Sequence, residues 1–329
     1  MLEGYRVAVV VPAFRVERQI ASVIQRMPAY VDRVIVVDDA SPDATAAVVL
    51  ATNDPRVQLL RHPVNQGVGG AMATGFRTAL EGGADLIVKC DGDGQVDADG
   101  IALLLWPLIE GRADYSKGCR FHHFSELNAM PRVRLGGNIA LTFLTKFASG
   151  YWHILDPQNG FVGISAETLG RLPLRRLARG YFFENDMLIR LNALKARVAD
   201  VPLPTRYGDE VSSLRPMRIL FEFPVRLLIG FVRRVFWRYI FYDVSPVAVF
   251  LLSGSALFLF GSLYGGYHWI VNLIRHRATP TGTAILSAMT VILGFQLLLE
   301  ALVLDIQNSP RADRGRSPEI PAERPLVNH

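Results

Sequence analysis

The segment best suited to chemistry is Asp-Gly-Asp-Gly-Gln at positions 91–95. It directly follows the largely apolar run 84–90, which predicts a buried β-strand. Asp91 and Asp93 offer two hard oxygen ligands one residue apart, which suits Mg²⁺ or Mn²⁺ with positions left open for phosphate oxygens. Because Asp and Gly also favour tight turns for conformational reasons, this segment alone leaves a metal site and an acidic turn both open.

A second acidic pair, Asp38-Asp39, also follows an apolar run. The β-branched runs 7–11 and 34–37 predict buried parallel strands, and two further strands are predicted at 57–60 and 86–89. Helical periodicity occurs at 17–27, and Ser41-Pro42 is typical of a helix start with Ser41 as the N-cap. A glycine-rich turn at 67–70 leads into a helix predicted at 71–80, and these glycines are expected to serve packing and turn geometry.

This alternation of strands and helices predicts an α/β fold with a parallel, doubly wound sheet. Ligands of such sheets bind beyond the carboxyl ends of the strands. Pro12, Asp38-Asp39 and the pair Asp91 and Asp93 all follow predicted strands. We therefore expect these residues to converge on one edge of the sheet.

The apolar residues of the chain are concentrated near its C-terminus. The 329 residues are 50% hydrophobic, with a mean hydropathy of +0.24. Residues 247–271 contain no charged side chain, and residues 284–304 contain only Glu300. Each run exceeds the roughly 20 residues that cross a bilayer, so residues 244–307 are predicted to form a two-helix transmembrane hairpin rather than two buried core helices.

Residues 215–243 alternate arginines with aromatic side chains in a chain of net charge +5. A nucleic-acid surface can have this composition. Because the segment immediately precedes an apolar span, we instead predict amphipathic interfacial helices against anionic lipid, and no nucleic-acid partner. The arginines are Arg215, Arg218, Arg226, Arg233, Arg234 and Arg238.

The distribution of arginines predicts the membrane topology. Arginines flank the two spans on their outer sides, and the loop between the spans holds only Arg275 and Arg277. The positive-inside rule then places a catalytic domain at 1–214 and a disordered tail at 308–329 in the cytoplasm of an integral membrane protein. The N-terminus predicts no signal peptide, and Cys90 and Cys119 have neither metal-ligand spacing nor a disulfide framework.

Four segments occur in order along the first third of the chain, at 9–14, 36–45, 65–71 and 91–95. Together they resemble family 2 glycosyltransferases, which implies a GT-A, Rossmann-like, doubly wound mixed sheet. Later segments are similar to the polyprenyl-phosphate branch, which contains dolichol-phosphate mannosyltransferase. These segments are Gly118-Cys119-Arg120, Arg134, residues 156–161, and Arg206-Tyr207-Gly208 with Ser212-Ser213. The resemblance covers most of residues 5–215.

The resemblance implies roles for the residues at the strand ends. Pro12, Ala13 and Phe14 are expected in the nucleotide pocket. Asp38 and Asp39 are expected to accept hydrogen bonds from the base or ribose, although an acid before a helix is also favoured by the helix dipole. The metal ligands implied are Asp91, Asp93 and Gln95, with Asp91 also in the donor site and Asp93 catalytic.

The acceptor phosphate is expected to meet arginines, whose guanidinium forks match phosphate oxygens in pairs. The residues implied by the resemblance are Arg120, Arg134, Arg206 and Ser212, with Arg120 and Arg206 also in the catalytic set. Residues 208–213 read Gly-Asp-Glu-Val-Ser-Ser and depart from the commoner Gly-x-Ser-Lys pattern. We therefore expect an acceptor loop of a different shape.

Three further residues have open roles at this point. Asp156 is either a general base or a group that orients an arginine or the sugar, since a phosphate with a second pKa of about 6 is largely ionised already. Glu184 is either a functional acid or a helix-start acid favoured by the dipole. Lys89 either assists at the metal site or extends to the surface, as a strand lysine equally can, and it is left outside the catalytic set.

The expected activity is inverting transfer of one sugar from GDP-mannose or a UDP-hexose to a polyprenyl phosphate at the cytoplasmic membrane face. A processive polysaccharide synthase is disfavoured, because no Gln-x-x-Arg-Trp signature occurs at Phe236-Trp237-Arg238 and two spans are few. A transferase acting on a saccharide and a non-catalytic membrane adaptor remain alternatives. Gly254, Gly261, Gly265 and Gly266 predict a homo-oligomer packed through the spans.

Overall fold

The computed structural model describes residues 1–92, 98–119, 132–203, 216–241 and 245–312, without the side chains of 98–99, 132–138 and 216–221. The chain divides into two compact units. The first comprises Met1–Gly230 with Pro310–His329, and the second comprises Phe231–Ser309.

The described part of the first unit contains a seven-stranded sheet with the strand order β3-β2-β1-β4-β6-β5-β7. Strand β6 runs antiparallel to both of its neighbours, β4 and β5, and the other pairs are parallel. The predicted doubly wound mixed sheet is therefore confirmed. The strands are β1 Val7–Ala13, β2 Arg33–Asp38, β3 Val57–Arg61, β4 Leu86–Lys89, β5 Tyr115–Cys119, β6 Val162–Ser165 and β7 Val198–Pro202.

Helices cover both faces of this sheet. They are α1 Ile20–Gln25, α2 Thr45–Ala51, α3 Val68–Glu81, α4 Ala98–Ile109, α5 Arg132–Ser149, α6 Ala166–Gly170 and α7 Phe183–Ala193, with a 3₁₀ turn at Leu174–Arg176. Successive residues of a strand point to opposite faces. In β1, Val9 packs into one apolar layer and Val10 into the other. Two-sided burial is the reason why the strand sequences are apolar throughout.

The strand order creates a crevice between β1 and β4. Strands β2 and β3 follow on one side of β1, whereas β4 lies on its other side. Doubly wound sheets bind ligands at such a switch in strand order. Gly92 lies beside the end of β1, because a Cβ there would be 3.4 Å from the carbonyl oxygen of Pro12.

Two helices start at different residues from those predicted. Helix α2 begins at Thr45 rather than beside Ser41, because the Ser41 hydroxyl accepts a hydrogen bond from the Arg15 N–H at 3.1 Å. Helix α3 begins at Val68 and contains two of the glycines predicted to form a turn. Its Gly69 N–H donates to the Arg179 carbonyl at 2.7 Å, and no Cβ fits at this approach.

The second unit contains two helices long and apolar enough to cross a membrane, α9 Pro246–Ile274 and α10 Thr281–Gln307. They extend the predicted spans 247–271 and 284–304 by one to three residues at each end. The helix α8 Pro216–Val235 contains the boundary between the units, and a π-helix follows it at Phe236–Phe241.

The glycines of α9 pack against α10 within one chain. A Cβ at Gly254 would lie 3.0 Å from the Gly294 carbonyl oxygen, and one at Gly265 would overlap the Ser287 hydroxyl. Gly261 is blocked in the same way by Thr290. Close helix approach within the hairpin therefore already uses Gly254, Gly261 and Gly265. The homo-oligomer predicted to pack through the spans stays a prediction without support.

The arginines of residues 215–243 do not all face outward as predicted. Arg226 is exposed and pairs with Glu222, but Arg234 and Arg238 are buried inside the second unit. The reason is an acidic partner near the end of α10, Asp305, which the Arg234 guanidinium binds. The predicted tail also begins in an ordered state, because Arg311 forms a β-bridge with Val198.

Candidate active site

The centre of the crevice edge is a buried lysine bound to two carboxylates. Lys89 ends β4, and its Nζ lies 2.7 Å from Asp91 Oδ1 and 3.4 Å from Glu184 Oε1. The same ammonium donates to the Gly160 carbonyl at 3.1 Å. The Lys89 side chain is 2% exposed, whereas that of Asp91 is 39% exposed. The buried Lys89 ammonium therefore binds one carboxylate oxygen of Asp91, while the Asp91 side chain stays accessible to solvent.

A second buried lysine lies on strand β5, which is separated from β4 by β6. Lys117 has no exposed surface, and its Nζ donates to the Asn159 carbonyl. Asn159 and Gly160 belong to residues 156–161, which lead into β6 and which we call the β6 entry loop. Its Asn159 Oδ1 accepts a hydrogen bond from the Phe161 N–H at 3.0 Å, so the loop is also tied to itself.

The charges in this cluster set one another's pKa values. Burial alone lowers the pKa of Lys89, but the carboxylates of Asp91 and Glu184 outweigh burial and hold that pKa above its ordinary value. Burial lowers the pKa of Lys117 to about 8, although the nearby carboxylates of Glu184 and Asp156 act to raise it. Lys89 is therefore a permanent cation, and Lys117 is largely charged at neutral pH.

Asp38 and Asp39 lie at the predicted edge, but internal contacts occupy their carboxylates. Asp38 is fully buried and accepts from the Ser41 N–H and the Arg61 Nε, both at 2.9 Å. Asp39 accepts from the N–H groups of the residues at 66 and 67 at 2.9 and 2.7 Å and lies 2.7 Å from His62 Nδ1. These contacts hold the turn before α3, and the donor-binding role of the two acids stays a prediction.

The residues that end β1 reach the same edge. Ala13 is buried, and its carbonyl accepts the Asp39 N–H at 2.9 Å. Phe14 is 42% exposed, with the Arg15 guanidinium 5.2 Å from its ring centre. Arg15 has φ of 59°, a conformation that costs free energy in a non-glycine residue and often marks functional sites. An exposed ring at the crevice mouth suits stacking on a planar ligand.

Asp156 is almost fully buried at the start of the β6 entry loop. Its carbonyl accepts the Asn159 N–H at 3.3 Å, and its carboxylate acts on the charge of Lys117. Glu184 lies in the first turn of α7 and also approaches Lys89. Both roles considered for Glu184 are thus compatible with its position.

The remaining predicted site residues lie outside the described part of the chain. These are Asp93, Gln95, Arg120, Arg206 and Ser212, together with the side chain of Arg134, whose backbone is in the first turn of α5. Across the described ranges, no group of three His, Cys, Asp or Glu side chains is arranged to hold a metal ion. Of the predicted ligands, only Asp91 lies within these ranges.

The sequence interpretation missed the two lysines. For Lys89 both a role beside the metal site and a surface position were open, and the structure excludes the surface position because the entry loop and α7 cover the strand end. The available signal was a lysine in an otherwise apolar strand, directly before an acidic segment. Lys117 also lies in a strand whose residues are all buried, but β5 reads Tyr-Ser-Lys-Gly-Cys and no acidic segment follows it, so the sequence offered no comparable signal.

The mixed sheet and its strand order define a GT-A-like fold. A structure of glucosyl-3-phosphoglycerate synthase from Mycobacterium tuberculosis with UDP is similar, with a TM-score of 0.53 and 25% identity over 70% of this chain and 80% of that one. Other structures of the same synthase contain Mn²⁺ with UDP-glucose or Mg²⁺ with UDP.

The defining pattern of glycosyl transferase family 2 matches residues 8–172. A UDP-N-acetylglucosamine–dolichyl-phosphate N-acetylglucosaminyltransferase of Methanococcus voltae is 31% identical over 231 residues, 66% of this chain and 91% of the relative. An undecaprenyl-phosphate mannosyltransferase of Micrococcus luteus is 33% identical over 173 residues, 52% of this chain and 70% of the relative. The chain therefore belongs to glycosyl transferase family 2 and is a glycosyltransferase with polyprenyl-phosphate sugar transferases among its relatives.

Proposed function

We propose that this enzyme moves one sugar from a nucleotide-sugar to a polyprenyl monophosphate at the cytoplasmic face of a membrane. The observation that carries the proposal is the combination, in one chain, of a family 2 crevice with two helices long enough to cross a bilayer. An isoprenoid acceptor keeps its tail in the bilayer, so its transferase benefits from an anchor. Relatives named for dolichyl and undecaprenyl phosphate support the same acceptor class.

The chemistry of the crevice edge fits a divalent cation. Asp91 follows β4 with an accessible carboxylate, and the chain places a further carboxylate and an amide at positions 93 and 95. Oxygen donors of this kind suit Mg²⁺ or Mn²⁺. In the proposal Asp91, Asp93 and Gln95 hold the ion, which when bound offsets the negative charge of the departing nucleoside diphosphate.

The transfer itself is a direct displacement. A phosphate oxygen of the acceptor forms a bond to the anomeric carbon, the bond from that carbon to the nucleoside diphosphate breaks, and the configuration inverts. Because the acceptor phosphate is largely ionised at neutral pH, the protein needs to position it more than to deprotonate it. Arg120, Arg134, Arg206 and Ser212 are proposed to bind this phosphate, and Asp156 is proposed to orient an arginine or the sugar.

The exposed side of helix α8 supports an interfacial role. Phe223 and Leu227 lie on its buried side, whereas Val225, Leu228 and Ile229 are each more than half exposed. A helix that is apolar on its exposed side is suited to the boundary between headgroups and acyl chains. The cytoplasmic orientation is proposed from the arginines outside the two spans.

The test is a donor and acceptor screen with the full-length protein in nanodiscs. GDP-mannose, UDP-glucose and UDP-N-acetylglucosamine, each radiolabelled, are incubated with Mn²⁺ and either polyprenyl phosphate or soluble acceptors. We expect a lipid-linked sugar of inverted configuration with one donor, lost with EDTA and with Asp93→Asn but retained with the exposed control Glu81→Gln. Transfer only to soluble acceptors, or no lipid product with any donor, overturns the proposal.

A further inference from the structure

Two lysines from adjacent regions of the sheet bind consecutive carbonyls of one loop. Lys89 of β4 donates to Gly160, and Lys117 of β5 donates to Asn159. We propose that Lys89 and Lys117 form a clamp that positions the β6 entry loop, and with it Asp156, against Asp91 for sugar transfer. Both lysines are positioning residues in this proposal, because they act through the loop and through Asp91.

The contacts of Lys89 account for its full donor capacity. An ammonium group has three N–H donors. Its acceptors here are Asp91 at 2.7 Å, Gly160 at 3.1 Å and Glu184 at 3.4 Å, which come from the β4 end, the entry loop and α7. One buried cation therefore fixes three separate elements relative to each other.

The chain uses lysine sparingly, which makes these two positions unusual. It contains four lysines and 31 arginines, and two of the four lysines are fully buried in this cluster. Lysine presents a compact point charge, whereas arginine presents a wide planar fork. The space requires the smaller group, because even a Cβ on Gly160 would overlap the Lys89 ammonium and lie 2.6 Å from Asp91 Oδ2.

The charges around Lys117 explain why it can remain buried as a cation. Glu184 of α7, Asp156 of the entry loop and Asp200 of β7 all favour its charged form, whereas Lys89 of β4 opposes it. With a pKa of about 8, Lys117 carries its charge at neutral pH and loses it in mildly alkaline solution. The hydrogen bond from Lys117 to the Asn159 carbonyl is then expected to weaken as the pH rises through 8.

The inference deepens the proposed function, but its first measurement needs no substrate. The full-length protein in nanodiscs is compared with Lys89→Met and Lys117→Met by hydrogen–deuterium exchange. Methionine has a similar length without the charge. We expect faster exchange in peptides that cover the entry loop in both variants. Lys195→Met, which changes an exposed lysine, is the matched control and is expected to leave that exchange unchanged.

The second measurement is turnover with the donor found in the screen. Each methionine variant is expected to lower kcat roughly 10–100-fold, the usual effect of losing a residue that orients a site group, with KM for the lipid phosphate unchanged. The double variant is expected to lose little beyond the worse single variant, because both lysines act on one loop. Wild-type kcat is expected to fall above about pH 8, and Lys117→Met to lack that decline.

Gly160→Ala is a separate variant that keeps both lysine charges and changes only the space around the Lys89 ammonium. Gly160→Ala is expected to reproduce the faster loop exchange, because the added methyl group displaces the Lys89 ammonium. Entry-loop exchange equal to wild type in both methionine variants, with thermal unfolding unchanged, overturns the clamp. So does a kcat equal to that of Lys195→Met. If no donor is turned over at all, the proposed function fails and the exchange result still decides the clamp.

Discussion

Arg234 and Asp305 form a two-point ion pair inside the second unit. Arg234 Nη1 lies 2.6 Å from Asp305 Oδ1, and Nη2 lies 3.0 Å from Oδ2. The Tyr239 hydroxyl donates to the same Oδ1 at 2.6 Å. Paired guanidinium–carboxylate bonds are stronger than single ones. This contact therefore fixes the end of α10 against the segment that precedes α9.

Replacing Arg234 with methionine is expected to destabilise the protein by about 3–5 kcal/mol, because Asp305 would stay buried without its cation. The matched control is Arg226→Met, which removes an exposed pair with Glu222 and is expected to cost at most about 1 kcal/mol. Thermal unfolding in detergent measures both. An equal loss of stability in the two variants would show that the buried Arg234 pair contributes no more than the exposed Arg226 pair.

Two adjacent glycines of α9 provide a matched comparison for the hairpin. Gly265→Ala is expected to lower stability by about 1–3 kcal/mol, since the methyl group would overlap Ser287. Gly266→Ala meets nothing within 4 Å and is expected to be neutral, or to stabilise the helix by roughly 0.5–1 kcal/mol. Thermal unfolding of the two variants distinguishes hairpin packing from a general intolerance of alanine. A harmless Gly265→Ala would contradict the packing described.

Asp39→Ala is expected to lower the unfolding temperature in the absence of any nucleotide. The variant leaves the Gln66 N–H without its acceptor and takes one partner each from His62 and the Gly67 N–H, and a buried group left unpaired costs about 1–3 kcal/mol. Glu81→Gln, an exposed change, serves as the control. If Asp39 only binds donor, Asp39→Ala would unfold like wild type without nucleotide and differ only when nucleotide is added.

His153 is expected to make stability depend on pH. Burial lowers the pKa of its imidazole, assisted by Arg311 and Lys146, although a hydrogen bond to the Val198 carbonyl partly opposes the shift. As the pH falls, His153 therefore gains its proton at a higher pH in the unfolded chain than in the folded protein. Its contribution to the free energy of unfolding is fully present above about pH 6.5 and decreases as the pH falls through the lower pKa of the folded protein. Thermal unfolding between pH 5 and 7.5 measures the slope, which His153→Gln is expected to reduce. An unchanged slope would rule out His153 as its source.

The local elements were predictable because each depends on residues near one another in the chain. The run 7–11 predicted β1 Val7–Ala13, and the uncharged run 247–271 predicted most of α9, since burial on both sides or contact with lipid requires apolar residues along the whole element. Helix starts were less accurate. Ser41 has the residue type of an N-cap, but its hydroxyl accepts from Arg15, which is 26 residues away.

Sequence alone was sufficient to determine the alternation of strands and helices, the acidic segments at strand ends and the two apolar spans, because these follow from residue type and short-range period. The tertiary structure decided which charges meet. Lys89 is bound to Gly160, 71 residues later, and Arg234 is bound to Asp305 at the same separation. An isolated lysine or arginine has no local property that identifies such a partner, because desolvation and pairing exist only after distant elements have packed.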